Sequence, residues 1–248
     1  MATLSRSLRR GHHQPLDLPR GPGHRILVGG GSGGGAGVAG GAHGQAGPPR
    51  GRGGYGRGAA VSQRGRAAGK VVLVGITGGV AAYKVGYVVS GLRQEGAEVH
   101  VLMTAAAAQF VQPLTFRALS QQPVLTDMWA AENPWEEPHV TLGARADLFI
   151  IAPATAHTLA KLALGLADDL VTATALATRA PLLIAPAMSD LMYAHPTVDE
   201  HLEKLRSRGA HIVGPEYGRL ASGREGMGRM SEPETILREA LRLLTGTS

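Results

Sequence analysis

The sequence predicts an α/β protein, built as a single doubly wound parallel sheet and preceded by a disordered arm. Strand-like and helix-like runs alternate throughout residues 70–248, which is the pattern of a parallel sheet with crossover helices. The strand-like runs are almost continuously apolar, as expected for strands that are covered on both faces. Residues 1–69 show neither feature, so we place a boundary at residue 69.

The first 69 residues differ sharply in composition from the rest of the chain. They hold 21 of the 36 glycines, ten arginines and one acidic residue, so their net charge is +9, whereas residues 70–248 carry −3. Such a segment buries too little apolar surface to offset its ordering entropy, and we predict a disordered basic arm. Four interpretations of the arm stay open. It could be a solvated tail, a transit peptide, upstream sequence that is not translated, or a segment whose Arg-Gly repeats bind nucleic acid weakly. We expect no nucleic-acid partner for residues 70–248.

Five strands and six helices are predicted in residues 70–248, enough for one substantial core. The strands are expected at Lys70–Val74, Glu98–Met103, Leu148–Ala152, Leu182–Ala185 and His211–Val213. The helices are expected at Ala81–Glu95, Pro113–Ser120, His157–Leu166, Leu170–Thr178, Thr197–Ser207 and Glu234–Leu244. Gly96 and Gly209 follow helical runs at the position where a terminating glycine belongs.

The turn after the first strand has the character of an anion site. There an apolar strand passes through Thr77, Gly78 and Gly79 into a helix-like run. Glycines let the backbone approach a ligand, and the first helical N–H groups point at its phosphate. An ordinary strand–helix turn is the alternative, because the pattern is not the full dinucleotide fingerprint.

Three further segments are expected at the same edge of the sheet. Thr104 directly follows the second strand, Ala154 and Thr155 follow the third, and residues 186–192 follow the fourth. Ligands of doubly wound sheets bind beyond the carboxyl ends of the strands. The sequence therefore predicts one site that these segments share.

Composition excludes several classes of protein. Because residues 1–248 contain no cysteine, disulfides and thiolate metal sites are excluded, and we predict no metal. No apolar run reaches the length of a transmembrane helix, so no membrane partner is expected. The absence of cysteine also favours a cytoplasmic location.

Four segments, in this order and spacing, resemble the flavin-dependent cysteine decarboxylases. That family includes phosphopantothenoylcysteine decarboxylase of coenzyme A synthesis and the epidermin-type peptidyl-cysteine decarboxylases. The segments are GGVAAYK at 78–84, APATAHTLAKLALGLADDL at 152–170, PAMSDLM at 186–192 and SGREGMGRM at 222–230. The resemblance covers roughly residues 70–244 and implies a Rossmann-like flavoprotein.

The resemblance implies that the cofactor is flavin mononucleotide (FMN). The residues expected to bind it are Thr77, Gly78, Gly79, Thr104, Ala154, Thr155 and Asp168. A mononucleotide agrees with the residues, since no acidic side chain ends the second strand to hold a ribose. Asp168 and Asp169 also suit the start of the following helix, where a carboxylate caps the backbone; capping and flavin binding are compatible.

The resemblance also implies roles in catalysis and substrate binding. His139 matches the family's active-site histidine and would act as a base. A histidine that begins a helix and faces water is the alternative. Ser189 and Met192 would contact the substrate, Ser189 as a catalytic residue at the carboxylate, and Ser222 and Arg224 would form part of a flexible substrate clamp.

Two residues depart from the family pattern. Ser189 stands where the family carries an asparagine that orients the substrate carboxylate, and a hydroxyl lacks the reach of an amide. Ser222 stands where the coenzyme A branch carries a cysteine that is thought to supply a proton as the enethiol is reduced. A hydroxyl is a far poorer acid than a thiol, and the peptidyl-cysteine branch lacks that cysteine.

The sequence thus favours an FMN-dependent decarboxylase of a cysteine-containing substrate, resembling phosphopantothenoylcysteine decarboxylase. The resemblance implies oxidation of the cysteine followed by loss of carbon dioxide, and a homo-oligomer, trimeric or a multiple, with the flavin near a subunit boundary. A peptidyl-cysteine decarboxylase that releases an enethiol is one alternative. A non-catalytic flavin-binding or regulatory protein is the other. No second domain for ligation is expected after residue 248.

Overall fold

The computed structural model describes residues 65–246. Within that range, Ala67 is fully buried and Arg66 pairs with Glu95 at 3.0 Å. Residues 65–69 therefore pack against the folded domain, slightly before the boundary expected from composition. The rest of the predicted arm, residues 1–64, lies outside the described residues, and its disorder stays a prediction.

A six-stranded parallel sheet forms the centre of the described chain. Its strands are β1 (Val71–Ile76), β2 (Glu98–Met103), β3 (Val124–Leu125), β4 (Leu148–Ala154), β5 (Leu182–Pro186) and β6 (His211–Ile212). They lie in the order β3-β2-β1-β4-β5-β6, and every neighbouring pair is parallel. The order reverses between β1 and β4, which is where doubly wound sheets open a ligand crevice. The predicted fold class is confirmed.

Helices connect the strands and cover both faces of the sheet. They are α1 (Val85–Gln94), α2 (Ala105–Ala108), α3 (Pro113–Ser120), α4 (Pro138–Arg145), α5 (Ala156–Leu164), α6 (Leu170–Ala177), α7 (Asp190–Tyr193), α8 (Pro196–Ser207) and α9 (Pro233–Thr245). A short 3-10 helix, Val80–Lys84, precedes α1. Proline occupies the first turn of α3, α4, α8 and α9, where its missing N–H removes no helical hydrogen bond.

Alternating strand residues build a separate apolar layer on each face. Val72 and Val74 of β1 pack with α1, α3 and α9, whereas Leu73 packs with the layer under α4, α5, α6 and α8. In β4, Ile150 and Ile151 divide between the two layers in the same way. Because every residue of β4 is buried, the centre of the sheet is rigidly held and its carboxyl edge has fixed positions.

An antiparallel hairpin stands apart from this sheet. It consists of β7 (Glu216–Arg219) and β8 (Glu225–Arg229). The sequence pattern did not predict it, because its strands are short, rich in glycine and charge, and lack an apolar run. Within the described part of the chain, no helix combines the length and apolarity needed to cross a bilayer.

Candidate functional site

The glycine turn after β1 is anchored to the end of β4 by Thr77. Its hydroxyl donates to the Pro153 carbonyl at 2.6 Å and accepts from the Thr155 N–H at 3.2 Å. The Thr77 side chain is almost fully buried by these contacts, so it fixes the spacing of the two strand ends. Gly78 and Gly79 follow it, and both lie on the wall of a cleft.

Three helices begin at the same edge, and each is capped by a hydroxyl. Thr104 begins α2, Thr155 begins α5 and Ser189 begins α7, and each side-chain oxygen accepts a hydrogen bond from the backbone N–H three residues later. All three residues line the cleft. Because capping uses only a lone pair, the hydroxyls of Thr104 and Ser189 retain their own protons to donate elsewhere. The Thr155 hydroxyl also shares a hydrogen bond with the Thr158 hydroxyl, at 3.1 Å.

The hairpin docks on the segment after β5 through the backbone. The Met188 N–H donates to the Gly228 carbonyl at 2.9 Å, and the Ala187 N–H donates to the Ala154 carbonyl at 3.0 Å. Gly228 has a φ of 140°, and a Cβ there would lie 2.3 Å from the Met188 oxygen. Only glycine therefore allows this approach, and the hairpin becomes a fixed wall of the cleft.

An ion pair joins the tip of the hairpin to the start of α7. Arg224 Nη2 lies 2.6 Å from Asp190 Oδ2, and the two side chains are 58% and 22% exposed. The Ser222 hydroxyl accepts from the Arg224 N–H at 3.4 Å and lines the cleft, whereas Arg224 itself does not. Arg224 thus holds the turn that carries Ser222, instead of facing the cleft.

A lysine and two carboxylates form a charged cluster beside α5. Lys161 Nζ lies 2.7 Å from Asp168 Oδ1 and 2.8 Å from Asp169 Oδ2. Burial alone would lower the pKa of Lys161, but the hydrogen bonds to both carboxylates outweigh it and raise that pKa. The hydrogen bond from Lys161 lowers the pKa of Asp168. Lys161 and Asp168 are consequently charged at neutral pH.

The two aspartates have different positions relative to the cleft. Asp169 caps α6 by accepting from the Thr172 N–H at 2.9 Å, and it lines the cleft with Lys161. Asp168 is 68% exposed and lies outside the lining. Of the two roles expected for these aspartates, helix capping is therefore filled by Asp169.

These elements enclose a cleft of about 870 Å³ at the carboxyl edge of the sheet. It brings together seven of the residues that the sequence predicts for the site: Gly78, Gly79, Thr104, Thr155, Ser189, Met192 and Ser222. Five other predicted residues lie outside its lining: Thr77, His139, Ala154, Asp168 and Arg224. The roles of all twelve remain predictions.

His139 lies in the first turn of α4, on a helix that packs mainly against α6. Its ring is partly buried, and its Nδ1 atom has no hydrogen-bond partner within residues 65–246. It does not line the cleft of its own chain. The expected base therefore has an unsatisfied polar atom and lies outside the lining of the cleft that contains seven of the other predicted residues.

Sequence reasoning missed several charged residues of the lining. Lys161 is one, although its position four residues after His157 on α5 is a usable signal, since residues at that spacing share a helix face. Arg219 is another, at the end of β7. No local pattern identifies it, because its place depends on how the hairpin docks.

Taken together, the fold and the site define a doubly wound α/β protein with its cleft at the reversal of strand order, where such proteins bind their ligands. Residues 61–245 match the Flavoprotein family, and the chain belongs to that family. Membership supports a flavin as the cofactor. The resemblance expected from the four sequence segments is thereby confirmed.

The relatives agree with this assignment. Over 169 residues the chain is 47% identical to the coenzyme A biosynthesis bifunctional protein CoaBC of Bacillus subtilis, which is 68% of this chain and 42% of that protein. It thus spans about two fifths of the length of the curated relatives it matches. It is also similar to the solved structure of the FMN-dependent cysteine decarboxylase SpaF, with 33% identity, a TM-score of 0.62 and coverage of 72% of this chain and 98% of that chain.

A second solved structure is a cysteine-to-serine variant of PPC decarboxylase complexed with pantothenoylaminoethenethiol. It is 36% identical to this chain, with a TM-score of 0.61, and the match covers 69% of this chain and 96% of that one. Both of these solved structures, which this chain covers almost completely, are therefore decarboxylases.

Proposed function

We propose that this protein is an FMN-dependent decarboxylase that acts on a cysteine-containing substrate of the phosphopantothenoylcysteine type. The observation that carries the proposal is the single cleft into which the glycine turn, the hydroxyl caps and the hairpin all project. These are the segments that resemble the cysteine decarboxylases. The named activities of SpaF and of PPC decarboxylase support the reaction class.

The lining of the cleft fits a flavin mononucleotide. Its volume of about 870 Å³ is within the usual range for small-molecule sites. Small residues, Gly78, Gly79, Ala105, Ala106 and Ala156, line the cleft around the strand ends, which leaves room for a flat ring. Thr104 after β2 stands where a dinucleotide-binding protein would place its ribose-binding carboxylate, so the mononucleotide fits better.

A bound flavin supplies the two-electron oxidation on which the loss of carbon dioxide from a cysteine depends. The protein's own contribution is to hold and orient. Gly78, Gly79, Thr104 and Thr155 would hold the cofactor, and the hairpin excludes water from one side of the cleft. Lys161, which keeps its positive charge, adds a fixed cation to the same wall.

Ser189 and Ser222 would orient the substrate. Each hydroxyl accepts a backbone N–H within its own loop at 3.4 Å, so each O–H is available to a substrate oxygen. Ser189 would donate to the carboxylate that is lost, and Met192 lines the same cleft. Ser222 would contact the substrate from the turn of the hairpin.

His139 can serve as the base only if a second subunit brings it to the cleft. The unsatisfied Nδ1 atom and the exposed Val140 next to it suit a subunit boundary. We propose a homo-oligomer, trimeric or a multiple of three, in which His139 would approach the cleft of a neighbouring copy. The proposed place of action is the cytoplasm.

Ser222 favours a second candidate, a peptidyl-cysteine decarboxylase that releases an enethiol. Ser222 lines the cleft, where the coenzyme A branch is expected to carry a thiol. The PPC decarboxylase variant in which a serine replaces a cysteine was solved in complex with an enethiol, which supports a reaction that stops at the enethiol.

The proposal is tested on the full chain. The purified protein is examined for a flavin absorption spectrum, the extracted flavin is identified by mass, and phosphopantothenoylcysteine and cysteine-ended peptides are offered separately. We expect bound FMN and, from one of these substrates, a product lighter by about 46 mass units, which is one carbon dioxide plus the two hydrogens left on the flavin; a loss of about 44 would mean that the two hydrogens are returned to the product. Bound flavin without turnover would favour a non-catalytic flavin protein. A protein that neither contains nor takes up flavin would refute the proposal.

A further inference from the structure

The cleft is lined by four cationic side chains that are not electrostatically equivalent. They are Lys84, Lys161, Arg219 and Arg229. Lys161 is held by two carboxylates, at 2.7 and 2.8 Å. Lys84 and Arg229 both pair with Glu232, which follows the second strand of the hairpin. These three cations are therefore already engaged by protein carboxylates.

Arg219 differs from the other three. Within residues 65–246, its side chain makes neither an ion pair nor a hydrogen bond. Glu225 lies directly across the hairpin from it, yet the two side chains are not paired. The residue is exposed, so its charge is directed at solvent and at the cleft that it lines.

The backbone around Arg219 is nevertheless well fixed. The Leu220 N–H donates to the Arg224 carbonyl at 2.8 Å, and the Gly223 N–H donates to the Leu220 carbonyl at 2.9 Å. Arg224 ties the same turn to Asp190. A guanidinium with no partner among the described residues thus stands at the root of the turn that carries Ser222, and the backbone hydrogen bonds that hold this turn do not involve the Arg219 side chain.

We infer that Arg219 selects the substrate by binding an anionic group remote from the cysteine carboxylate, and that this group is a phosphate monoester. The inference rests on the proposed function, because it names the substrate class of that site. A guanidinium presents several N–H donors in a rigid fork that matches a phosphate. Ser189 and Ser222 would take the cysteine end, which leaves Arg219 for the other end of the ligand.

Binding of ligands that do not turn over tests the inference separately from catalysis. The flavin-loaded full-length protein is titrated calorimetrically with 4′-phosphopantetheine and with pantetheine, which differ only in the phosphate. The native protein should bind the phosphorylated ligand about tenfold more tightly, the size expected of a charge-assisted contact at an exposed position. In Arg219→Ala that preference should disappear, and Arg219→Lys should keep part of it.

Arg238→Ala is the matched control, since Arg238 is an exposed arginine on α9 that does not line the cleft. It should retain the native preference. The preference should also shrink at high salt, because screening weakens exposed charge pairs.

Three results would overturn the inference. The first is a native protein that does not distinguish the two ligands. The second is an Arg219→Ala variant that weakens both ligands equally or neither. The third is an Arg219→Ala variant that loses its preference for FMN over riboflavin instead, which would assign the residue to the cofactor phosphate. A protein that keeps the Arg219-dependent preference yet decarboxylates nothing would refute the proposed function and leave this inference standing.

Discussion

Replacing Gly78 by alanine tests whether the glycine turn is required by packing as well as by a ligand. A Cβ added at Gly78 would lie 2.4 Å from the Ala106 Cβ and 3.2 Å from the Ala106 carbonyl carbon. Carbon atoms in contact normally stay about 3.5–4.0 Å apart, so one segment must move by roughly 1 Å. Overpacking of this kind typically costs about 1–3 kcal/mol. We expect Gly78→Ala to lower the free energy of unfolding by about 2 kcal/mol.

The same displacement should weaken flavin binding, because Gly78 and Ala106 both line the cleft. We expect flavin binding to weaken by about 1.4 kcal/mol, which corresponds to a tenfold higher dissociation constant. Urea denaturation measures the unfolding free energy, and quenching of flavin fluorescence measures the dissociation constant. Ala106→Gly should recover about 1 kcal/mol or more in the Gly78→Ala background, even though glycine in a helix costs about 0.5–1 kcal/mol by itself.

Gly79→Ala provides the control. A Cβ at Gly79 meets nothing closer than 3.5 Å, from Pro153, and its φ of −141° suits any residue. The unfolding free energy of Gly79→Ala should therefore stay within about 0.5 kcal/mol of the native value. Equal destabilisation by Gly78→Ala and Gly79→Ala, or no recovery with Ala106→Gly, would refute the packing argument.

Three further substitutions test other parts of the molecule. Asp190→Asn removes the ion pair with Arg224 and should weaken substrate binding about threefold to tenfold while flavin affinity is kept; Glu203→Gln, which breaks an equally short pair away from the cleft, should leave binding unchanged. Burial opposes ionisation of Glu98, but His100 and Arg145 outweigh it and lower its pKa below 4.5. Denaturation should therefore show the native protein about 0.5–1 kcal/mol more stable than Glu98→Gln at pH 7, with the difference lost as pH falls below about 4.5; a constant difference would contradict this. Ser222→Cys should shift the product from the enethiol to the saturated thiol, two hydrogens heavier by mass spectrometry, and an unchanged product would contradict the proton-donor argument.

Much of the fold could be predicted because the central strands carry their own signal. β1, β4 and β5 are continuous apolar runs, and β2 is apolar apart from Glu98 and His100. The observed bounds of all four strands differ from the expected ones by no more than two residues. β3 was missed because a two-residue edge strand has no periodicity to detect. The helix expected at Ala81–Glu95 is instead divided into a 3-10 helix and α1, a distinction that apolar spacing does not encode.

The sequence predicts where the site residues lie along the edge of the sheet, but it does not predict which way each side chain points. Gly78, Thr104 and Thr155 reach the cleft because each follows a strand end, which topology alone determines. Thr77 shares that position, yet its hydroxyl is used by the Pro153 carbonyl of the neighbouring strand. That contact spans 76 residues of sequence, and no local pattern reveals it.

Ser189 shows how the fold and the chemistry of this site can vary independently. As a cap, it has only to accept the Met192 N–H, which serine and asparagine do about equally well. As a substrate contact, it offers one O–H in place of the longer amide of the family pattern, with its two N–H donors. A change between the two residues therefore leaves α7 and the wall of the cleft in place and alters only which substrate oxygens are reached. The same holds for Ser222, whose turn is fixed by backbone hydrogen bonds and by Arg224, none of which needs a thiol. The scaffold thus restricts neither position to the family residue, and we expect both departures from the pattern to act on substrate chemistry and not on folding.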